Sequence, residues 1–279
     1  MKGFLISLLA NCWILYILGS MAPVRSDDSA DAKLQKLFDE SRARAERIEV
    51  RVAVEDQTIK PKLHLTPVMK YTDVPRRIEM ATLWVWHDEG RPVALGKVEA
   101  YAREGGPKWL YCFASASTGL VDGKWPQGRR FQAKKHGIEW TAIKGPAPQA
   151  NAAGRRRQMK ELFERFTATC RDDLLKTSDE LRPLARPLHE YSSPKHGVVQ
   201  GILCGFAANG TNPDVLIALE AVGKADKKPP QSWRYGVICM TASGVSVKLD
   251  KVEVFTRSYT RSPGDQDNWT YFWEGTPAK

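Results

Sequence analysis

The sequence predicts an α+β fold built from two tandem copies of one unit, each an N-terminal helix packed on an antiparallel β-meander. Three observations predict it: the same order of apolar, turn and aromatic signals occurs twice, a helical pattern opens each copy, and short strands separated by turns follow. The 279 residues are enough to bury a sizeable core. The composition, 42% hydrophobic and 27% charged, is typical of a globular protein.

The first 26 residues have the order of a secretory signal peptide. Lys2 precedes an uncharged, mostly apolar run from Phe4 to Leu18, and small residues follow before acidic Asp27. This run is shorter than the ~20 residues that span a bilayer. We therefore expect cleavage after Ser26, with an uncleaved anchor as the alternative. After cleavage the chain would be periplasmic or secreted, with no stable membrane span.

The repeat is visible as matched segments in the same order. Leu83-Trp84-Val85-Trp86 matches Leu203-Cys204-Gly205-Phe206, Val98-Glu99-Ala100 matches Leu219-Glu220-Ala221, and Trp140-Thr141 matches Trp269-Thr270. The offset grows from 120 to 129 along the chain, and each increase falls in a loop-like segment that tolerates insertion. The pattern predicts a duplication, with the first copy at 27–147 and the second at 148–279.

Each copy opens with a predicted helix. Apolar residues at three-and-four spacing carry the pattern, in the first copy Leu34, Leu37, Phe38 and Ala45, and in the second Met159, Leu162, Phe163 and Phe166. A linker rich in Pro, Ala, Gln, Asn and Gly is predicted from Gly145 to Gly154.

Predicted strands follow each helix. Val50, Val52 and Val54 alternate with charged residues, a pattern without a clean counterpart in the second copy, where Arg171-Asp172-Asp173 intervenes. Later strands are predicted at Ala81–Trp86, Pro92–Tyr101 and Lys108–Ser115, and at Gly201–Phe206, Val215–Val222, Ser232–Thr241 and Val245–Phe255. The short connections favour antiparallel pairing.

The chain is basic, with a formal net charge of +10. Removing residues 1–26 leaves 40 basic and 32 acidic side chains, a net charge of +8. This balance could favour an anionic component of the cell envelope, and another protein is the alternative partner. The basic residues are spread along the chain and form no recognisable nucleic-acid motif, so we predict no nucleic-acid partner.

Four cysteines remain after the expected cleavage: Cys112, Cys170, Cys204 and Cys239. Most lie in apolar, strand-like runs, where a cysteine often serves as a small hydrophobic residue. We expect buried free thiols, or a single bridge, in preference to a disulfide framework. Since no Cys-x-x-Cys pair or other metal-ligand spacing occurs, the sequence predicts no metal and no cofactor.

Glu99 and Glu220 are the candidates for catalysis, because a carboxylate recurs at the same place in two otherwise apolar strands. Two carboxylates brought together could act as acid and base on a glycosidic bond, or could bind a hard cation. The plainer alternative is that each faces solvent or pairs with a basic neighbour such as Lys97 or Lys224.

Recurring aromatic residues are the candidate binding residues. Trp109 with Tyr111 and Trp233 with Tyr235 alternate on one face of a strand. Such a stripe could stack on sugar rings, but more often it fills the space between a helix and a sheet. We favour the second interpretation.

The second copy carries the clearest resemblance to known proteins. Pro187-Leu188-x-x-Tyr191, the turn Gly210–Asp214, Trp233-Arg234-Tyr235-Gly236 and Val247–Asp250 with Val254-Phe255 resemble uncharacterised exported proteins of planctomycete bacteria. The first copy is less similar, since Cys112 stands in place of the glycine. The resemblance implies a bacterial cell envelope and brings no catalytic residues with it.

Two functions follow as hypotheses. We prefer a non-enzymatic envelope protein that binds a ligand or partner in a groove flanked by the two copies. The alternative is a hydrolase of envelope polysaccharide that uses Glu99 and Glu220.

Overall fold

The predicted α+β class is wrong, because the protein is built mostly of β-strands. A computed structural model describes residues 28–172, 176–208, 210–223, 230–259 and 268–275. Strands account for 52% of the structure and helices for 15%, and the strands form large curled antiparallel sheets. The two α-helices each lie against one face of a sheet and do not form a layer comparable in size to the sheets. The expected signal peptide lies outside the described residues.

The elements of the first half are α1 (Asp28–Glu46), β1 (Glu49–Val54), β2 (Gln57–Ile59), β3 (Lys62–Leu63), β4 (Met69–Asp73), β5 (Ile78–Asp88), β6 (Arg91–Tyr101), β7 (Lys108–Ser115), β8 (Leu120–Lys124), β9 (Arg130–Gln132) and β10 (Thr141–Ile143). Those of the second half are α2 (Ala152–Phe163), β11 (Phe166–Asp172), β12 (Thr177–Pro183), β13 (His189–Ser193), β14 (Val198–Ala207), β15 (Val215–Val222), β16 (Ser232–Cys239), β17 (Gly244–Leu249), β18 (Val252–Arg257) and β19 (Trp269–Trp273).

Both halves place these elements in the same order. In the first, β9-β8-β1-β2 and β3-β5-β6-β7 form two neighbouring sheets, with β4 on β5. In the second, β18-β17-β11-β12-β14-β15-β16 is continuous, with β13 on β14. The difference lies at Lys60-Pro61, which separates β2 from β3. A proline removes a backbone donor from the ladder, whereas β12 runs unbroken between β11 and β14.

The last strand of each half completes the sheet of the other half. Strand β10 pairs with β16, with Thr141 opposite Tyr235, and β19 pairs with β7, with Phe272 opposite Tyr111. Such reciprocal contacts are those of a two-fold arrangement, in which the same surface is used twice. Neither half therefore has its full set of strands without the other.

Three layers of apolar side chains follow from this arrangement. One core lies between α1 and the concave face of the first sheet, around Trp84, Trp86 and Phe113. A second lies beneath α2, around Phe206 and Val237. The third lies between the halves, where Leu83, Val85 and Leu95 meet residues of β14 to β16 such as Leu203 and Leu216. Because β5, β6, β14 and β15 are buried on both faces, they read as long apolar runs.

Several predicted elements are confirmed and one is corrected. Strands β7 and β15 have the predicted bounds. The second half does have a counterpart of β1, since Phe166, Ala168 and Cys170 alternate inward along β11. The alternation is weak in the sequence because it pairs small apolar residues with threonines. Phe166, which we predicted in the helix, belongs to β11. Within the described residues, no helix is long and apolar enough to span a membrane.

Candidate functional site

Glu99 lies on β6 and faces the other half, where it is almost fully buried. The Tyr71 hydroxyl donates to its Oε1 at 2.6 Å, and the Tyr101 hydroxyl donates to Oε2 at 3.1 Å. Asn212 of the second half donates to Oε1 at 3.4 Å and accepts from Nζ of Lys97 at 2.7 Å. Burial, followed by the charge of Glu99, raises the pKa of Tyr71 well above its ordinary value, so the phenol remains a donor.

Glu220 lies at the matching place on β15 and is fully buried. Arg91 binds it in a bidentate manner, with Nε 2.9 Å from Oε1 and Nη2 3.1 Å from Oε2. Nε of Arg234 donates to Oε2 at 2.6 Å, and the Tyr191 hydroxyl donates to Oε1 at 3.0 Å. Both guanidinium groups lie over the ring of Trp140, 4.4 and 4.7 Å from its centre.

The two clusters use equivalent positions but different charges. In each, a tyrosine of the same half and a turn residue of the opposite half bind the carboxylate: Arg91 reaches Glu220, and Asn212 reaches Glu99. Two arginines neutralise Glu220. Neutral groups surround Glu99, and Lys97 binds Asn212 instead of the carboxylate itself. These clusters therefore join the halves.

The turn that carries Arg91 is held tightly against the second half. Glu89 and Gly90 both have positive φ, which suits the two-residue hairpin between β5 and β6. A Cβ added at Gly90 would lie 2.2 Å from the backbone oxygen of Ser192. Only glycine fits there, and this close approach directs Arg91 toward Glu220.

The structure does not bring the candidate catalytic carboxylates together. Within the described residues, no hydrogen bond and no shared partner links Glu99 with Glu220. Each is enclosed by its own partners instead of lining a cleft with the other. Lys224, one of the basic neighbours considered above, lies outside the described residues.

The candidate binding aromatics lie in the interior. Trp109 and Tyr111 belong to the core of the first half, and Trp233 and Tyr235 to that of the second. All four are at most 5% exposed, so they offer no surface on which a sugar ring could stack.

A largely apolar cavity lies beside α2. It is a groove of about 520 Å³ between that helix and the loop that joins β12 to β13, a volume within the usual range for ligand sites. We call it the α2 groove. Met159, Ile202 and Cys204 form its buried floor. Its walls and mouth are formed by Arg156, Lys160, Phe163, Glu164, Pro183, Leu184, Ala185, Arg186, Pro187 and Glu190.

The first half has a much larger side chain at the position equivalent to Cys204. Trp84 stands where the second half has Cys204, and its indole is fully buried, with Nε1 donating to Thr82 Oγ1 at 2.8 Å. The Thr82 hydroxyl also lies 2.5 Å from that of Ser41 on α1. A cysteine side chain is far smaller than an indole, so this exchange leaves room above the floor of the groove.

The residues at the mouth of the groove also differ between the halves, as an alignment of the two helices shows. The buried positions align the two helices with an offset of 118 residues: Leu37 corresponds to Arg155, Ser41 to Met159, and Ile48 beyond α1 to Phe166.

Phe38 therefore corresponds to Arg156. The ring of Phe38 lies 3.3 Å beneath Nζ of Lys70, and Lys70 corresponds to Glu190. In the second half an exposed ion pair of 3.0 Å between Arg156 and Glu190 replaces this contact. A ring covers the position in one half, and a charged pair stands at the mouth in the other.

One of the two acidic groups at the mouth is engaged by two partners. Glu190 accepts from Arg156 and also from Nε2 of Gln200 at 2.6 Å. Lys160 lies 3.9 Å from Glu164, with both side chains mostly exposed, an arrangement worth little. Arg186 has no hydrogen bond or ion pair with any described residue. The mouth therefore presents cationic side chains beside an apolar interior.

The floor of the groove provides apolar contacts, and its one thiol is not an activated nucleophile. Burial raises the pKa of the Cys204 thiol to about 12, so the thiol stays protonated and unreactive at neutral pH. Burial likewise raises the pKa of Cys112 and Cys170 to about 12 and that of Cys239 to about 11. All four are buried free cysteines.

A smaller cavity of about 260 Å³ lies between the halves. Most of its charged groups are paired, because Asp88 binds Lys195 at 3.1 Å and His196 at 2.8 Å while Arg91 binds Glu220. Burial raises the pKa of Asp88, but hydrogen bonds from Lys195 and His196 outweigh it and the pKa is lowered. Residues of both halves line this cavity, as expected of a groove that two copies flank.

Three histidines also meet between the halves. The ring of His64 lies 4.9 Å from that of His189 and 6.3 Å from that of His87. Burial, followed by His64 and His87, lowers the pKa of His189 to about 4. Burial and His64 also lower the pKa of His87. Within the described part of the chain, no group of three or more histidine, cysteine and acidic side chains could hold a metal ion.

Comparison with protein-family models, with curated proteins and with solved structures finds no match to this chain. Function has to be argued from the residues themselves. Sequence reasoning did not point to the α2 groove, although the repeat alignment held its signal, with Cys204 opposite Trp84. Its loop-side wall, by contrast, comes mainly from Leu184, Ala185 and Arg186, which follow β12 and have no regular structure and no motif.

Proposed function

We propose that this chain is an exported, non-enzymatic binding protein that takes an apolar ligand into the α2 groove. The observation that carries the proposal is the exchange of Trp84 for Cys204 at equivalent positions of the two sheets. Protein interiors are close-packed, and an unfilled apolar volume costs stability. A groove kept open in one half and filled in the other is therefore a feature that binding would explain.

The groove has the composition of a ligand site. Its floor is buried and apolar, and its walls add Phe163 and Leu184. The ring of Phe163 packs 4.9 Å from that of Phe206 in the core, so one wall is anchored to the rigid sheet. Burying apolar ligand surface here would contribute about 25 cal/mol for each Å² removed from water.

The non-enzymatic part of the proposal rests on the surrounding chemistry. The protonated thiol of Cys204 is the sole nucleophilic side chain on the floor. The buried carboxylates, Glu99 and Glu220, are engaged elsewhere with partners of their own. A binding role needs none of these groups to react.

Fluorescence titration with N-phenyl-1-naphthylamine, a neutral apolar probe, tests the proposal. We expect one saturable site per chain in the wild type. Cys204→Trp, which places in the second half the residue of the first, should abolish this site. Leu184→Gln changes a partly exposed wall residue and should weaken binding about tenfold without unfolding the protein.

A matched control separates the groove from general surface stickiness. Leu65 is 81% exposed on the equivalent loop of the first half. Leu65→Gln should leave the affinity for the probe unchanged. Binding that survives Cys204→Trp and Leu184→Gln in folded protein would contradict the proposal, as would the absence of saturable binding in the wild type.

A further inference from the structure

We infer that the ligand of the α2 groove is a single-chain anionic amphiphile, an acyl chain with a carboxylate or phosphate head group. This inference rests on the proposed function and adds the chemical class of the ligand. Two features of the groove point to it: an apolar floor that suits a hydrocarbon chain, and a mouth whose unengaged charge is positive.

The floor favours a flexible chain over a polar or planar ligand. Met159, Ile202 and Cys204 present methyl, methylene and thiol groups. The hydrogen-bonding groups at the same depth in the first half, Ser41 and Thr82, are absent from the second, where Met159 and Ile202 replace them. A ligand on this floor finds dispersion contacts but no polar partner, which penalises a buried polar group.

The mouth favours a negative head group. Arg186 has no partner among the described residues, and Lys160 has one weak contact with Glu164. The other acid, Glu190, is held by Arg156 and Gln200. A carboxylate or phosphate at the mouth would give Arg186 a charge-assisted hydrogen bond, whereas an ammonium head group would meet repulsion.

The rest of the chain supplies a field of the same sign. The net charge of +10 attracts anions over distances of about a Debye length. Arg186 corresponds to Thr66 in the first half, so the cation at the mouth belongs to the half whose groove is open. Open volume and unpaired positive charge thus occur together.

Three ligands with the same twelve-carbon chain test the inference: dodecanoate, dodecanol and dodecyltrimethylammonium. Each displaces N-phenyl-1-naphthylamine from the full chain below its micelle-forming concentration. We expect dodecanoate to bind about three- to tenfold more tightly than dodecanol, because the head group is partly exposed, and the ammonium compound to bind most weakly. The advantage of dodecanoate should shrink as salt is added.

Charge variants assign this preference to the mouth. Arg186→Gln should bring dodecanoate to within about twofold of dodecanol and leave the affinity for dodecanol unchanged. Lys144→Gln removes one positive charge from an exposed position away from the groove and should preserve the preference. Shortening the chain should weaken binding about fourfold for each methylene group lost. Dodecyl phosphate in place of dodecanoate distinguishes the two possible head groups.

The outcomes separate the two claims. If dodecanol binds as tightly as dodecanoate, or the ammonium compound binds best, the anionic class is wrong and the groove remains an apolar site. If none of the ligands displaces the probe and the probe itself does not saturate, both claims fail. If Lys144→Gln abolishes the preference as fully as Arg186→Gln, the preference reflects net charge and not the mouth of the groove.

Discussion

The two halves of this protein share an order of elements, a strand register and an exchange of final strands, yet they fill their cores differently. The first half packs Trp84, Trp86 and Phe113 where the second has Cys204, Phe206 and Val237. A scaffold of one topology can therefore be closed on one side and open on the other. The cores differ in the volume of side chains at equivalent positions, and the sheets differ where the unbroken strand β12 replaces the separate strands β2 and β3.

The two halves depend on each other for stability, because each contributes its last strand to the sheet of the other. Deleting residues 268–279 removes β19, which covers the first core with Phe272 and contributes Trp269 to the central core. Truncating either side chain to alanine costs about 3–5 kcal/mol, so losing the strand approaches the whole stability of a typical domain. We expect no cooperative thermal transition by circular dichroism. A truncated chain that melts like the full one would show that the exchange is dispensable.

Truncating a core side chain should cost more stability in the first half than at the equivalent position of the second. Trp84→Ala removes a fully buried indole and should lower the free energy of unfolding by about 3–5 kcal/mol. Cys204→Ala, at the matching position beside an open groove, should cost about 1 kcal/mol or less. Urea denaturation measures both. Equal losses would mean that the second half is packed as tightly as the first.

The carboxylate clusters should differ in a similar way. Glu220→Gln leaves two arginines facing a neutral amide and should cost about 2–4 kcal/mol. Glu99→Gln keeps an acceptor for Tyr71 and Tyr101 and should cost about 1–2 kcal/mol. Both are measured by urea denaturation at pH 7, with Glu104→Gln in the exposed loop between β6 and β7 as the control. The reverse ranking would contradict the assigned roles of Arg91 and Arg234.

The histidine cluster predicts a smaller effect that depends on pH. The folded pKa of His189 is about 4, below the ordinary 6.5, so the unfolded chain takes up a proton first as the pH falls. Stability should therefore decline from pH 6.5 toward pH 4, by about 1–2 kcal/mol after allowance for partial exposure. His189→Phe keeps a ring against Tyr191 and should flatten this part of the profile of urea midpoint against pH. An unchanged slope in that variant would assign the effect to other groups.

Much of the strand content was predictable from the sequence, because alternation and turn residues are local signals. Strand β15 matched its predicted bounds, and the hairpin at Glu89-Gly90 follows from its turn residues. The fold class was not predictable in the same way. A helical pattern shows that a helix forms but not how much of the sheet it covers, and α2 has only 12 residues.

The strand exchange and the site depend on distant contacts that no local pattern carries. Nothing near Tyr271 indicates that β19 pairs with β7 of the first half, and Arg91 lies 129 residues from the carboxylate it binds. Glu99 and Glu220 are visible in the sequence as carboxylates within apolar strands, but no local pattern indicates that partners from both halves enclose them. Cys204 opposite Trp84 was the one visible sign of the groove.

Methionine methyl groups report most directly on whether the open half binds the ligand. Met159 lies on the floor of the α2 groove, Met80 lies in the core of the first half, and Met240 lies between the halves. In a ¹³C-methyl-methionine spectrum titrated with dodecanoate, we expect the Met159 resonance to shift saturably while those of Met80 and Met240 stay in place. A stationary Met159 resonance, or a Met80 resonance that moves with it, would contradict the claim that one half is open to a ligand and the other is closed.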